Sequence, residues 1–292
     1  MMLDSIDEEL CYCKISKYAD DNKIYAIIRD EQDHRNAQAD LDRVVLWARR
    51  WGFDLNADKC TVVQFGGDGH WPFFLDGKEL QESTMVKDLG VVITNDLKWD
   101  GQVSAATSKA RTMARSLARA MSSRDPHTWT NLYRTFIRPH FEYASSAWLP
   151  HQANHLTTLE SVQRWFSRQI PGIGDMNYEE RGAVCGLEPV ASRIRRGIIV
   201  ETFKISRGLS GVRQDILTPL THSHETRGIE AGNYRHLKPR KDIRKFSFAA
   251  AAPVLWDEVE TEARLAVSVN SFKNTYDRIQ RDKKDGSRTK LF

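Results

Sequence analysis

The stretch Tyr18-Ala19-Asp20-Asp21, near the start of the chain, places two adjacent carboxylates between two runs of strand-forming residues. Polar and apolar side chains alternate over residues 11–17, and residues 24–28 form an aromatic and β-branched run. This pattern predicts a β-hairpin whose turn holds Asp20, Asp21 and Asn22. A divalent cation would relieve the repulsion between two such carboxylates, but an ordinary solvated turn has the same composition, so both interpretations stay open.

Helical periodicity dominates the chain after this hairpin. Residues 31–51 place their apolar side chains on one stripe, and Gly52 is suited to end that helix in the left-handed conformation. Further helices are predicted over residues 97–120, 126–137, 154–170, 178–185, 189–207, 246–259 and 272–279. Short strands are predicted over residues 61–65, 73–75 and 86–93.

Composition excludes several classes of protein. The 292 residues are 40% hydrophobic and 28% charged, with a mean hydropathy of −0.53. No apolar run is long enough to span a bilayer, and the acidic start has neither the basic nor the apolar region of a signal peptide. We therefore expect an intracellular protein, nuclear or cytoplasmic, without a membrane partner. The four cysteines are too scattered for a disulfide framework, so no disulfide-linked partner is expected.

Charge is divided unevenly along the chain. Residues 1–100 hold 12 Lys+Arg against 20 Asp+Glu, whereas residues 101–292 hold 31 against 19. The predicted helix over residues 97–120 has an apolar seam formed by Trp99, Val103, Ala106, Ala110, Met113, Leu117 and Ala120. Four basic residues lie off that seam and are candidate nucleic-acid-binding residues: Lys109, Arg111, Arg115 and Arg119. The alternative is that they form an ordinary solvated helix face.

Several motifs follow the hairpin at fixed distances. They are Trp47-Ala48-Arg49-Arg50-Trp51-Gly52, Asn56-Ala57-Asp58-Lys59-Cys60, Val86-Lys87-Asp88-Leu89-Gly90-Val91, Arg138-Pro139-His140-Phe141-Glu142-Tyr143, Trp148-Leu149-Pro150, Leu159-Glu160-Ser161-Val162-Gln163-Arg164, Ile170-Pro171-Gly172 and Ser271-Phe272-Lys273. In this order they resemble a reverse transcriptase, an RNA-directed DNA polymerase, of a non-LTR (LINE-type) retrotransposon. The resemblance covers nearly the whole chain and corresponds to the second half of the palm, the thumb and the region after it.

This resemblance implies an α+β fold. Residues 1–97 would form part of a right-hand polymerase palm, with antiparallel β-hairpins and one packed helix that buries Trp47 and Trp51. Residues 98–173 would form a thumb-like helical bundle, and residues 174–292 a basic, helical C-terminal region.

The resemblance also implies functions for individual residues. Asp20 and Asp21 would be catalytic carboxylates that bind Mg²⁺ for two-metal nucleotidyl transfer. Lys59 stands in the position of a lysine that stabilises the leaving pyrophosphate, and Lys87 lies in the segment that resembles the primer grip. The expected partners are an RNA template and a DNA primer or duplex.

One part of the polymerase pattern is missing. Two-metal chemistry needs carboxylates from two strands, and only 17 residues precede Tyr18. Asp4, Asp7, Glu8 and Glu9 stand in what resembles the loop before the hairpin, so they do not replace the other strand. Three hypotheses follow: a truncated, inactive polymerase fragment, an incomplete gene model of an active polymerase, or a non-catalytic nucleic-acid-binding protein derived from the thumb.

Overall fold

The computed structural model describes residues 5–19, 21–66, 69–123, 125–220 and 233–289, with side chains up to residue 283. It divides into two compact units. Unit 1 comprises Met1–Asp88 and Ile93–Leu97, and unit 2 comprises Leu89–Val92 and Lys98–Phe292. The fold combines α-helices with small pairs of β-strands. The three-part division expected from the resemblance stays a prediction.

The elements up to Thr94 are short, apart from one long helix. They are α1 (Ile6–Glu9), β1 (Lys14–Tyr18), β2 (Asp21–Tyr25), α2 (Glu31–Trp51), β3 (Thr61–Val62), β4 (Phe74–Leu75), β5 (Lys78–Glu79), β6 (Gln81–Glu82), β7 (Met85–Asp88) and β8 (Val91–Thr94). Strands β1 and β2 pair antiparallel, as do β4 and β5, while β3 and β6 pair in parallel. The predicted first hairpin is confirmed, and the parallel pair was not foreseen.

The single strand predicted over residues 86–93 is wrong, but the hairpin implied by the resemblance of residues 87–91 to the primer grip is present. The chain turns at Leu89 and Gly90, which have φ angles of 43° and 86°, and β7 and β8 form a two-stranded sheet on either side of that turn. Positive φ at both positions suits a tight hairpin connection, and glycine adopts it without steric cost.

Helix α2 agrees with the predicted span and shows why it starts and stops there. The Asp30 carboxylate accepts a hydrogen bond of 2.9 Å from the Asp33 backbone N–H, which satisfies one of the free donors at the helix start. At the other end Gly52 has a φ of 72°, and its N–H donates to the carbonyls of Ala48 and Arg49.

The buried face of α2 forms the core of unit 1. Its cluster comprises Ile6, Val44, Trp47 and Ala48, against which Leu10, Ile15 and Ile24 pack. The predicted packing of this helix against the first hairpin is therefore confirmed, as is the burial of Trp47. The predicted burial of Trp51 is wrong, since 42% of its surface is exposed. Phe53, which is also partly exposed, folds back onto Trp47 with ring centroids 5.7 Å apart.

A buried carboxylate joins α2 to the approach to β1. Asp40 is fully buried and accepts hydrogen bonds from three successive backbone N–H groups, of Cys11 at 3.1 Å, Tyr12 at 2.8 Å and Cys13 at 2.7 Å. It also pairs with Arg43. Charged groups are rarely buried unless they are paired and hydrogen-bonded, and Asp40 meets both conditions.

These contacts shift the acidity of two side chains. Burial raises the pKa of Asp40, but the backbone N–H donors and Arg43 outweigh it and hold the pKa of this carboxyl below its usual value. Burial, together with the neighbouring Asp40 carboxylate, raises the pKa of the Cys13 thiol to about 12. Cys13 therefore packs as a neutral side chain at neutral pH.

Unit 2 consists mainly of helices. They are α3 (Asp100–Ala120), α4 (Pro126–Leu132), α5 (Pro139–Glu142), α6 (Ala153–Arg168), α7 (Tyr178–Cys185), α8 (Val190–Ser206), α9 (Asp242–Lys245), α10 (Phe248–Asp257), α11 (Thr261–Arg264) and α12 (Val269–Thr289). A π-helical turn, Tyr133–Ile137, follows α4. Asp125 caps α4 by accepting from the N–H groups of His127 and Thr128, with Pro126 in the first turn. Most predicted helices are confirmed within a few residues; the last is longer than predicted.

Large aromatic side chains fill the interior of unit 2. Trp148, Tyr133, Phe141, Phe166, Phe203 and Phe272 are all less than 2% exposed. Phe203 on α8 stacks on Phe272 on α12, with ring centroids 4.3 Å apart. Among the described helices of both units, none combines the length and apolar character needed to cross a membrane.

The two units should differ in local stability. Unit 1 leaves large apolar side chains such as Tyr18, Tyr25 and Ile27 more than half exposed, whereas α3 in unit 2 buries Ala110 and Ala114 completely. We expect the amides of β1 and β2 to exchange with solvent faster than those in the middle of α3, because opening them exposes less buried surface. Hydrogen exchange measured by mass spectrometry tests this, and equal protection of the two segments would contradict it.

The Asp40 contacts should control the stability of unit 1. Replacing Asp40 with Asn puts an amide N–H₂ group against backbone donors, so we expect a loss of about 2 kcal/mol. The measurement is hydrogen exchange of peptides that cover residues 11–25. Asp42→Asn, an exposed carboxylate on the same helix, is the matched control and should change little.

The same contact should make unit 1 sensitive to acid. The folded-state pKa of Asp40 lies below its unfolded value of about 3.9, so its contribution to stability is present above that pH. That contribution is lost as the pH falls through the folded-state pKa. Exchange measured against pH should show this acid loss in the wild-type chain and a smaller loss in Asp40→Asn; identical acid profiles would contradict the assignment.

Candidate functional site

The tip of the first hairpin differs in detail from the prediction. Tyr18 on β1 is paired with Asp21 on β2, and Ala19, which has a φ of 53°, follows the last residue of β1. Asp20 lies outside the described residues. The prediction that Asp21 and Asn22 belong to the turn is wrong, because strand pairing continues to the end of β1 and includes both of them in β2.

Asp21 stands at the exposed start of β2. Farther along the same strand, the Lys23 ammonium lies 2.6 Å from the Asp88 carboxylate on β7. This ion pair places β7 beside the first hairpin within unit 1. Lys87, the neighbour of Asp88, is exposed, as expected for alternation along a strand.

Lys59 lies in a short 3₁₀ turn, Ala57–Lys59, rather than on a strand edge. The Asn56 side chain begins that turn by accepting a hydrogen bond of 3.0 Å from the Asp58 N–H. Lys59 is exposed, and within the described part of unit 1 its side chain makes no ion pair or hydrogen bond with Asp21. The structure therefore does not bring these two predicted site residues into contact.

The described residues do not by themselves complete a metal site. Among them, no group of three or more His, Cys, Asp or Glu side chains is placed to hold a metal ion. Asp21 has the oxygen ligands that Mg²⁺ prefers, but two-metal chemistry also requires carboxylates from a second strand. The part of the site that the structure describes is thus one exposed carboxylate at a hairpin tip.

The four basic residues predicted on α3 separate into two groups. Arg111, Arg115 and Arg119 follow one another at intervals of four and form one exposed stripe along the helix. Lys109 is exposed too, but it lies on a different side of α3. The apolar seam is confirmed at Val103, Ala106 and Ala110, and the prediction of Ala120 as its end is wrong, because the last turn is exposed.

Lys109 lines a cavity of about 240 Å³ in unit 2, together with Gly90, Gln102, His140 and Tyr143. Two hydrogen bonds fix its rim. The Tyr143 hydroxyl donates to the Leu89 backbone carbonyl at 2.7 Å, and the side-chain amide oxygen Oε1 of Gln102 accepts from the Val92 N–H at 2.9 Å. Burial, and to a lesser extent the charge of Lys109, lowers the pKa of His140.

Two exposed residues on α6, Trp165 and Arg168, were not among the predicted site residues. Trp165 has 40% of its surface exposed. The sequence could have indicated both residues as candidates, because they lie beside the predicted apolar stripe of α6. This helix also contains no acidic residue after Glu160.

Comparison with known proteins gives a distant relative. The chain is similar to the RNA-directed DNA polymerase from the mobile element jockey of Drosophila melanogaster, with 23% identity over 164 residues, which are 54% of this chain and 18% of that protein. The chain thus spans less than a fifth of the length of that relative. No family model and no solved structure matches the chain. This similarity supports the relationship to the reverse transcriptases of non-LTR retrotransposons that the spaced motifs indicated.

Proposed function

We propose that this chain is a nucleic-acid-binding protein derived from a non-LTR reverse transcriptase, with unit 1 corresponding to part of the palm and the helices after residue 98 to a thumb and C-terminal region. The observation that carries the proposal is the exposed arginine stripe of α3. It belongs to a chain whose relative is an RNA-directed DNA polymerase. A regular row of guanidinium groups is suited to the phosphates of an RNA–DNA hybrid or a DNA duplex, and it would follow the backbone without reading sequence.

The stripe remains available for such contacts. After Asp100, α3 contains no acidic residue, and among the described residues neither Arg115 nor Arg119 has an ion-pair partner. Arg111 donates a hydrogen bond of 2.9 Å to the Ser161 hydroxyl, which orients its side chain without neutralising its charge. The positive charge of the stripe is therefore open to phosphate groups.

Other arginines of unit 2 have a different role. Arg193 contacts Glu142 at 2.8 Å, and Arg196 contacts both oxygens of Asp277 at 2.6 Å. These ion pairs connect α8 to neighbouring helices and are partly buried. We therefore assign the phosphate contacts to α3 and not to α8.

We further propose that Asp20 and Asp21 are the remaining carboxylates of a polymerase hairpin, with Mg²⁺ as their metal and Lys59 and Lys87 as the triphosphate and primer contacts. When bound, Mg²⁺ would stabilise the negative charge of the transferred phosphoryl group. Because no third metal-binding side chain joins Asp21 among the described residues, we infer that the chain alone does not carry out templated DNA synthesis.

Primer extension tests that inference. The purified chain, an annealed RNA template and DNA primer, Mg²⁺ and deoxynucleotides should give no extended product, because the described residues contain no cluster of three or more side chains that could complete a two-metal site. Asp21→Asn should be indistinguishable from wild type. Template-dependent extension by the chain that is lost in Asp21→Asn would overturn the inference.

Salt-dependent binding tests the main proposal. The full chain should bind a hybrid or DNA duplex of any sequence, and affinity should fall steeply as salt rises. Arg115→Gln and Arg119→Gln should each weaken binding similarly for all sequences and lower the slope of log K against log salt by about one. Fluorescence anisotropy titrations at several salt concentrations measure both effects.

A matched control removes the same charge elsewhere on unit 2. Arg213 is exposed and pairs with Asp215 two residues away, so Arg213→Gln should leave both the affinity and the salt slope unchanged. If the wild-type chain shows no salt-sensitive binding at low salt, or if the control variant weakens binding as much as the stripe variants, the proposal is wrong.

A further inference from the structure

The basic stripe of α3 lies beside an exposed aromatic ring on the neighbouring helix α6. Helices α3 and α6 pack side by side in unit 2. Near their starts, Asp100 on α3 and His155 on α6 are joined by a hydrogen bond of 2.9 Å. Arg111, 11 residues after Asp100 on α3, donates a hydrogen bond to Ser161, which is six residues after His155 on α6. Because both contacts advance in the same direction along the chain, the two helices run parallel.

In this arrangement Arg115 and Trp165 each lie about one helical turn beyond the contact between Arg111 and Ser161. Arg115 lies four residues after Arg111, and Trp165 lies four residues after Ser161, so both are displaced by about 6 Å along parallel helices from the Arg111–Ser161 contact. Arg168 follows Trp165 on the same face of α6. Arg111, Arg115, Trp165 and Arg168 thus form one surface, which we call the α3–α6 platform.

The platform carries positive charge without acidic neighbours on its own helices. The one carboxylate of α6, Glu160, is engaged on another side, where it accepts from the Val190 N–H at 2.7 Å and from the Tyr178 hydroxyl. Among the described residues, Arg115 and Arg168 have no ion-pair partner. Trp165 is 40% exposed and takes no part in the aromatic contacts that the structure describes in the interior of unit 2.

We propose that the α3–α6 platform binds single-stranded nucleic acid, with an unpaired base stacked on Trp165 and the flanking phosphates held by Arg111, Arg115 and Arg168. This deepens the proposed nucleic-acid binding and rests on it. A tryptophan face can stack on a base of any identity, and arginines around it supply backbone contacts. In a duplex the bases are already paired and stacked on one another, so a duplex would use the arginines and leave the ring unoccupied.

The affinities of three ligands of equal length distinguish the contribution of base stacking from that of phosphate charge. They are an oligothymidylate, a strand of abasic sugar phosphates and a DNA duplex, each titrated into the full chain at low salt with anisotropy as the readout. The wild-type chain should bind the oligothymidylate more tightly than the abasic strand. Trp165→Ala should weaken oligothymidylate binding about tenfold and leave binding of the abasic strand and the duplex unchanged.

Further variants control for folding and charge. Trp165→Phe retains an aromatic face and should keep most of the affinity for the oligothymidylate. Arg115→Gln should weaken the binding of all three ligands. Trp51, of similar exposure at 42% but on unit 1, supplies the matched control: Trp51→Ala should bind all three ligands as wild type does. Circular dichroism confirms that each variant is folded.

The outcomes distinguish this inference from the proposal on which it rests. Two results would contradict base stacking on Trp165 and leave general phosphate binding in place. In the first, the wild-type chain binds the duplex but does not prefer the oligothymidylate to the abasic strand. In the second, Trp165→Ala binds the oligothymidylate as wild type does. If the wild-type chain binds none of the three ligands, both are wrong.

Discussion

The arrangement of unit 1 depends on one buried carboxylate. Asp40 sits in the middle of α2 and accepts from the N–H groups of Cys11, Tyr12 and Cys13. These donors belong to a segment without strand or helix pairing of its own, and buried N–H groups without acceptors would cost free energy. Asp40 supplies all three acceptors at once. It therefore fixes where the chain enters β1 relative to α2.

That entry point determines the register of the hairpin on the helix. Strand side chains alternate between two faces, so a shift of one residue would move Ile15 away from the Trp47 cluster. With Asp40 holding residues 11–13, Ile15 and its cross-strand partner Ile24 both pack against the core. The hairpin tip is then positioned by contacts behind it, and Asp21 can stay exposed. The carboxylate at the start of β2 therefore stays in contact with solvent.

Much of this fold follows from local sequence patterns, and the rest depends on contacts between distant residues. The bounds of α2 and α7 are encoded nearby, by the caps at Asp30 and Asn177 and by the glycines that follow each helix. Asp40 gave no such signal. On a helix of mixed polarity it looks like any solvated aspartate, and its function appears only when a segment 27 to 29 residues away folds against it.

The candidate site, like the fold, could be predicted from the sequence only in part. Repulsion between two adjacent carboxylates can be recognised from the sequence, but the residue at which strand pairing ends cannot, because it depends on hydrogen bonds across the hairpin. For this reason Asp21 moved from the predicted turn into β2. The exposed ring of Trp165 was missed because tryptophan in an amphipathic helix is more often a core residue. Its exposure results from how α3, α7 and α8 surround α6, which helix periodicity does not reveal.

In unit 2, a count of basic residues does not predict where positive charge is available to a ligand. Arg196 on α8 and Arg115 on α3 contribute equally to the net charge, yet their surroundings are opposite. Arg196 is partly buried and paired with Asp277; such a charge needs its partner, because an isolated buried charge is strongly unfavourable. The pair is neutral as a whole and adds little to the field at a distance. Arg115 is exposed and, among the described residues, has no acidic partner, so its field extends into solvent. Ion pairing on α8 therefore removes part of the basic excess after position 100 from the surface field, whereas exposed arginines without an acidic partner among the described residues, such as Arg115 on α3 and Arg168 on α6, keep their contribution to it. Attraction for phosphate should follow that local field and not the net charge of the chain.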